Sequence, residues 1–446
     1  MSWIRFNRLA LAILFFAQMG LSAPTKNTKP TAPLAPIVIN PDNLRSLLLE
    51  KNISLAEQLN LVQQAKAKVN IARADLLPSL NLGAIVTGGV SFALSTVSIL
   101  LPFLLPSHWF DLKESQALLD SQADGYYVAQ LNVYSSVYST YLTIISDMDL
   151  LDVLSQQFSN YQSIEDTVRT GVNAGLIPPS DLMQAQAQSQ LAQFQVSQTQ
   201  ELLNKEKAIV REMLSLPLNQ EITFEKFHVD PSGNENLDVQ TVLDQSLAKA
   251  PEVSQLNSLI SAAQYAKWSQ VFSFLNSGAL TTDRGTDGAL GSLRAVGQVN
   301  FGFNYFPALA LSNLNIEQLK LQKTELNLEQ AQLVETTVNS FVEAKKQYDL
   351  AVSAQNNLTQ YYQVEQLRFR TGLTDLLHVM SAGNNLTTAL TNKIRALNDM
   401  DNLRLTLDRL LISGKFAGIR ACKIAQKKSG WLGHSSKQTL DQACHL

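Results

Sequence analysis

Two very long stretches of the chain, from about Trp109 to Asn173 and from about Ala308 to Arg370, contain no proline and at most a single glycine before their last turns. Each reads as one uninterrupted α-helix, and at 1.5 Å per residue each would reach roughly 95 Å. No compact globule needs helices of that length. The two or three soluble domains that 446 residues would otherwise suggest therefore give way to an elongated molecule.

The long helices belong to a duplication. Ala72 to Ala84 closes a helical pattern and opens a strand-like one, and Ala266 to Gly278 makes the same transition 194 residues later. Gly175-Leu176 leads to Leu182-Met183-Gln184-Ala185, and Gly372-Leu373 leads to Val379-Met380-Ser381-Ala382, at an offset of 197. Val210 to Leu214 before Pro217 falls opposite Leu407 to Leu411 before Gly414 at that same offset. The order and the near-constant offset define two structural repeats, residues 43–217 and 238–414, joined by residues 218–237 and followed by a tail, 415–446. Each repeat runs through a helix of some 30 residues, a nearly uncharged stretch, the long helix, a glycine-containing turn and a helix of some 35. The two shorter helices, stacked end to end, match the long one and can run antiparallel beside it.

The second long helix carries two apolar seams. Leu314, Leu321 and Leu328 recur every seven residues, and so do Leu319, Leu326 and Leu333. The two series differ by five positions, about 140° around the helix, so this helix expects neighbours on both sides. The wall of a bundle and a closed barrel of helices both satisfy that requirement.

The N-terminus reads as an address. Arg5 and Arg8 precede an apolar run from Leu9 to Ala17, and small residues follow at Gly20, Ser22 and Ala23. Residues 1–23 are expected to be a secretory signal peptide, with no cysteine near the processing site to take a lipid. Residues 24–42, rich in Pro, Thr and Lys, are expected to be a flexible lead-in. The mature protein then works outside the cytoplasm. Only 16% of the residues are charged and the net charge is −3, which leaves no basic field for a nucleic acid.

From Leu76 to Phe110 there is no charged side chain, yet Gly83, Gly88, Gly89, Pro102 and Pro106 argue against a membrane helix. The stretch alternates instead, with Val90, Phe92 and Leu94 on one face and Ser91, Ala93 and Ser95 on the other. In the second copy Val299, Phe301, Phe303 and Tyr305 alternate with Asn300, Gly302 and Asn304. Period two with an apolar outside suits the strands of a membrane β-barrel, and Thr281 to Ser292 reads as the exposed loop between two of them. One hairpin per repeat gives four strands, too few to close a barrel, and open edges are excluded from lipid. Several chains must then combine, and a trimer would supply twelve strands.

In this order of elements, and in the tip sequence Gly175-Leu176-Ile177-Pro178-Pro179-Ser180-Asp181-Leu182, the chain resembles the TolC-type outer-membrane efflux protein family over nearly everything from Asn43 to Ser413. The resemblance implies a mostly α fold with a membrane β-barrel. Three copies would form a twelve-stranded barrel in the outer membrane of a Gram-negative envelope, continued by a twelve-helix tunnel across the periplasm. It implies a passive exit duct of a tripartite efflux pump or a type I secretion system, docked to a periplasmic adaptor and an inner-membrane transporter. The turns Gly175-Leu176 and Gly372-Leu373 would be the adaptor-docking tips. Residues near them would close the tunnel: Asp181, and, at positions where the family carries two aspartates, His378 and Ser381. Phe369 and Thr374 match a tyrosine and an arginine that clamp the closed state, so the polar ties to Ser180 and Asp181 are altered here. The residues therefore predict a less cation-selective constriction than an acidic ring would give.

Other chemistry is sparse. His108, His228, His378, His434 and His445 are dispersed, and no phosphate loop, nucleophile elbow or metalloprotease spacing occurs, so neither an enzyme nor a cofactor nor a metal is expected. Cys422 and Cys444 are candidates for a disulfide in an oxidising compartment. The tail and the inter-repeat segment should lie outside the tunnel wall, and in the family such segments form a belt around its middle. Tyr127, Tyr134, Tyr138 and Tyr141 recur at helical spacing and are expected to pack between helices with their hydroxyls reaching water. A different class of reading, a periplasmic helical scaffold or adhesin without a pore, would make the alternating segments soluble sheet.

Overall fold

A computed structural model describes residues 35–77, 105–228, 237–273, 280–281, 294–295 and 303–419. It is built from helices in one order, given twice. The first set is α1 (Leu44–Lys51), α2 (Ile53–Ala74), α3 (Pro106–Asn173) and α4 (Pro179–Met213). The second is α5 (Val239–Lys249), α6 (Pro251–Phe272), α7 (Tyr305–Arg370) and α8 (Leu376–Leu411). The long helices α3 and α7 contain 68 and 66 residues, roughly 100 Å each. None of the described helices is long and apolar enough to cross a membrane.

The single helix of some 30 residues expected at the start of each repeat is two helices. Asn52 turns extended between α1 and α2, accepts a hydrogen bond from the Leu55 backbone N–H and donates to the Met213 carbonyl at 2.6 Å. In the second set Pro251 sits at the first position of α6, and its ring holds Ala250 extended at ψ 112°. A capping side chain and a proline thus make the same break by different means.

The helices form four columns side by side. Stacked α2 and α4 pack along one flank of α3, α6 and α8 pack along its other flank, and α7 lies on the far side of α6 and α8. Three apolar clusters hold the columns together. The largest surrounds the tyrosines of α3, a second joins the tips of both repeats, and a third ties α5 and α8 to α7. The column order covers α3 on both flanks. In α7, Leu319 and Leu326 are half-buried and Leu333 is 46% exposed, whereas Leu314, Leu321 and Leu328 are 67%, 63% and 67% exposed. One of its two seams is therefore covered by the chain's own helices at its first two leucines, and the other is open throughout in a single copy.

Near the middle of α3 the chain is girdled from outside. Strand β1 (Ile37–Ile39) runs parallel to β2 (Ile222–Phe224), in register Ile37 to Ile222. The last part of the expected flexible lead-in is therefore a strand, because Ile37 and Ile39 face the apolar cluster. The tyrosine stripe is core, as its spacing suggests: Tyr134, Tyr138 and Tyr141 stack at 5.8 Å between successive rings. Two of its hydroxyls reach the girdle rather than water, and that of Tyr134 is buried without a hydrogen-bond partner. Tyr141 donates to the Glu225 carbonyl at 2.6 Å and Tyr127 to the Ile419 carbonyl at 3.3 Å. A short 3-10 helix, Gly414–Gly418, buries Phe416 edge-on against Tyr134, and Lys415 pairs with Asp42 at 2.6 Å.

Before the second alternating segment β3 (Leu280–Thr281) pairs antiparallel with β4 (Arg294–Ala295), and the rest of the stretch expected to be an exposed loop, up to Ser292, lies outside the described residues. Phe303 and Tyr305, expected in a strand, are not in one: residues 303–304 turn and Tyr305 opens α7. Pro307 suits the first turn of a helix, where its missing N–H has no partner to lose, and the Tyr305 hydroxyl bonds the Val271 carbonyl at the end of α6. The first alternating segment, Val90 to Ser95, and Val299 and Phe301 of the second lie outside the described residues.

Candidate functional site

The two helical hairpins end in turns of one design. After α3, the Leu176 N–H bonds the Gly171 carbonyl and the Gly175 N–H bonds that of Val172; after α7, Leu373 bonds Arg368 and Gly372 bonds Phe369. Such closure needs a left-handed residue, and Gly175 and Gly372 take it at φ 73° and 72°. The next side chain is thrust outward in each, so Leu176 is 82% and Leu373 79% exposed. Beneath the turns, Ile177, Leu182 and Ala185 of the first hairpin share an apolar cluster with Phe369, Leu376, Val379 and Met380 of the second. The structure thus brings both tips together, and Phe369 serves that cluster.

The polar candidates do not converge on one another. Asp181, in the first turn of α4, accepts from the Ser180 hydroxyl at 3.1 Å. His378 bonds Asp375 instead, its Nδ1 lying 2.6 Å from the carboxylate, which also accepts the His378 backbone N–H at 3.0 Å. Asp375 is the N-cap of α8, so the cap and the ion pair use the same oxygen. The hydrogen bond with Asp375, then its charge, raises the His378 pKa, and the His378 side chain lowers that of Asp375. Thr374 precedes the cap half-buried, and Ser381 is exposed one turn beyond His378. The spacing Asp-x-x-His at a helix start is the signal that pairs these two residues.

Two further features escaped the sequence. Glu365 is buried and pairs with Arg368 at 3.0 Å, below the second turn. Farther from the tips, a polar tie links the repeats: the Tyr161 hydroxyl donates to Asn384 Oδ1 at 2.7 Å, and Gln157 Nε2 reaches the same oxygen at 3.2 Å. The neighbouring Gly383 allows α7 to approach, since a Cβ there would stand 3.3 Å from the Tyr362 ring. A cavity of about 280 Å³ opens beside this tie, between Tyr161, Tyr362 and Leu386. A lone glycine inside a long helix was the available signal of that close contact. Cys422 and Cys444 lie outside the described residues, as do His434 and His445. Among the described residues no group of three or more His, Cys, Asp or Glu side chains could hold a metal ion.

Residues 44–214 match the model of the outer membrane efflux protein family. No curated protein sequence matches the chain significantly. Solved structures share the fold over most of their length. The CmeC outer membrane channel of Campylobacter jejuni is 14% identical, with a TM-score of 0.64 over 83% of this chain and 85% of that one. The outer membrane protein VceC of Vibrio cholerae is 13% identical, with a TM-score of 0.64 over 84% and 96%. The open state of the MtrE outer membrane channel of Neisseria gonorrhoeae is 14% identical, with a TM-score of 0.63 over 83% and 88%.

Proposed function

We propose that this chain, whose residues 44–214 carry outer membrane efflux protein sequence and whose helices adopt the fold of such channels, is the outer-membrane exit duct of an export machine. It conducts passively. The energy comes from an inner-membrane transporter reached through a periplasmic adaptor, and the cargo is a small toxic compound or, in type I secretion, an unfolded protein.

The observation that carries the assembly is the pair of unpartnered edges of the four-column wall. One edge is the Leu314, Leu321, Leu328 face of α7; the other is α2 and α4, where Ile71, Met183, Leu191 and Phe194 are exposed. Unlike edges meeting head to tail generate a ring when the rotation closes. A homotrimer gives twelve helical columns, and its hairpins give the twelve strands that a barrel in the outer membrane needs. In this reading residues 43–217 and 238–414 are the two repeats of the wall. The segment 218–237 and the tail from 415 form its belt, and Cys422 and Cys444 pair in the oxidising periplasm.

The tips then face the adaptor, with Leu176 and Leu373 as the apolar contacts. Asp181, Phe369, Thr374, His378 and Ser381 line the constriction. The pairing of His378 with Asp375 sets its electrostatics. Protonated, each pair is neutral; deprotonated, each leaves one carboxylate, and three copies present a negative ring. Since Asp375 raises the His378 pKa, the neutral state persists to higher pH than an isolated histidine would allow. Cation selectivity should therefore grow as pH rises.

Fractionation followed by planar-bilayer recording tests the whole reading. The expected result is detergent-dependent extraction from the outer membrane and a pore whose reversal potential shifts toward cations from about pH 5.5 to about pH 8.5, a shift that His378→Gln abolishes. Extraction without detergent and no conductance would make the protein a periplasmic scaffold or adhesin.

A further inference from the structure

We propose that residues 225–228, which leave strand β2 and cross α3 to reach α8, form a proton-sensitive strap that is clamped at mildly acidic pH and loosens toward about pH 8. The inference stands on the single chain and does not depend on the exit-duct reading.

Three of the strap's four residues, Glu225, Lys226 and His228, are held by hydrogen bonds or ion pairs. The Glu225 backbone N–H bonds the Ile39 carbonyl at 3.0 Å, and its carbonyl accepts the Tyr141 hydroxyl at 2.6 Å. Lys226 Nζ bridges two carboxylates of α3, Asp149 at 2.8 Å and Asp152 at 2.6 Å. Phe227 and His228 roof a small cavity, and His228 Nε2 meets the second oxygen of Asp149 at 2.9 Å. The same cavity is lined by Leu142 and Ile145 of α3 and by Leu397 and Asp401 of α8. Asp401 is 4% exposed, and its Oδ1 has no hydrogen-bond partner. A buried carboxyl with an unpartnered oxygen, under a histidine already committed to another carboxylate, is the feature that the channel reading leaves unused.

The charges around His228 come from each element packed against it. They are Asp149 and Asp152 from α3, Asp401 and Arg404 from α8, and Glu225 and Lys226 from the strap itself. With His228 protonated and Asp401 neutral, the cations Lys226, His228 and Arg404 balance Asp149, Asp152 and Glu225. After both groups lose their protons the net charge of the cluster falls by two, one of its carboxylates is buried at the cavity, and only Lys226 and Arg404 remain to oppose four carboxylates.

The direction follows from the two titrations. Burial pushes the Asp401 pKa up to about 7, with His228 and Arg404 opposing. The unfolded chain ionises this carboxyl near pH 4 and the folded chain does not, so stability falls as pH rises across that window. The hydrogen bond to Asp149, more than its charge, raises the His228 pKa above its ordinary value. Its contribution is complete below about pH 6.5 and is lost as pH passes through the raised value. Both groups weaken the strap in the same direction. Because Asp149 belongs to the first helical set and Asp401 to the second, the strap couples the two along the girdle.

Hydrogen–deuterium exchange of the full chain in detergent, corrected for intrinsic rates, reads the strap directly. Protection of residues 222–228 is expected to fall about tenfold between about pH 5.5 and about pH 8, the factor that one unit of pKa difference supplies. Asp401→Asn, which mimics the neutral carboxyl, removes one of the two titrations and should lessen that loss severalfold, leaving the part that His228 carries through Asp149. Constant protection in the native chain, or an undiminished loss in the variant, would overturn the strap. Should the variant fail to fold, exchange at the imidazole C2 of native His228 decides alone: a midpoint at or below about 6.5 refutes the proposal, and a higher one supports it.

Discussion

The two long helices are nearly equal in length and occupy the same place in their repeats, yet they differ in what covers them. Helix α3 buries more than twice as many positions as α7. The difference does not arise from apolar content at the seams, since α7 has two leucine series of its own. It arises from position: α3 has a column on each flank, whereas α7 ends the row. An apolar seam on the last helix of a row, repeated over four turns and more, is surface that a stable single copy does not need. The same comparison explains why α3 rather than α7 carries the tyrosine stripe. The girdle crosses α3, and Tyr127 and Tyr141 need its carbonyls as partners for their hydroxyls.

The sharpest way to break this comparison is to charge the open seam. Replacing Leu314, Leu321 and Leu328 together with Asp should eliminate the proposed trimer in light scattering and leave the helical circular dichroism of the chain intact. Each of these leucines contributes roughly 1–2 kcal/mol to an interface that buries it, so three losses, compounded by three desolvated charges, exceed what an assembly of this kind can absorb. A triple variant that still forms trimers would mean that the seam faces lipid, detergent or solvent, and the head-to-tail ring would be wrong.

A smaller effect sharpens the contrast from the other side. Ile144 is fully buried in α3. Ile144→Ala should cost about 2–4 kcal/mol in denaturant unfolding, through lost transfer energy and the cavity left behind. Leu321→Ala, measured on the dissociated chain, should stay within about 0.5 kcal/mol of zero, as substitutions at exposed positions do. If both cost the same in the dissociated chain, α7 has a partner within its own copy.

Much of this contrast was legible in the sequence. Absence of proline gave the length of both long helices, the five-residue shift between leucine series gave two seams, and glycine followed by leucine marked both tips. What remained hidden depended on contacts between distant residues. Periodicity continues through Asn52, so the break after α1 shows only when the side chain finds the Leu55 N–H and the Met213 carbonyl. The alternation through Phe303 and Tyr305 was real, but packing of Tyr305 on the end of α6 overrode it. The tie of Gln157 and Tyr161 to Asn384 spans more than two hundred residues, and no local pattern announces it. Conversely, the pairing of Asp375 with His378 is written locally, as an acid three residues before a histidine at a helix start, although Asp375 stands three positions too early to match the family's own acidic position.

The tips differ from each other on a smaller scale. Both turns have the same backbone, but the first opens α4 with Pro178 and Pro179 and no side-chain cap, whereas the second opens α8 with Asp375 capping. Only the second therefore links its cap to a titration. Asp375→Asn keeps an N-cap oxygen for the His378 N–H while removing the charge, so α8 should start where it does now. The His378 pKa should drop toward its ordinary value, because the hydrogen bond to a carboxylate and then the carboxylate charge are what raise it. Imidazole C2 exchange measures that midpoint, and Glu365, which also raises it, remains as an internal reference. In the assembled pore the same substitution removes the alkaline negative ring, so the reversal potential should cease to move toward cations as pH rises. If the midpoint drops and the pH-dependent selectivity stays, His378 titrates as described but the constriction lies at other residues.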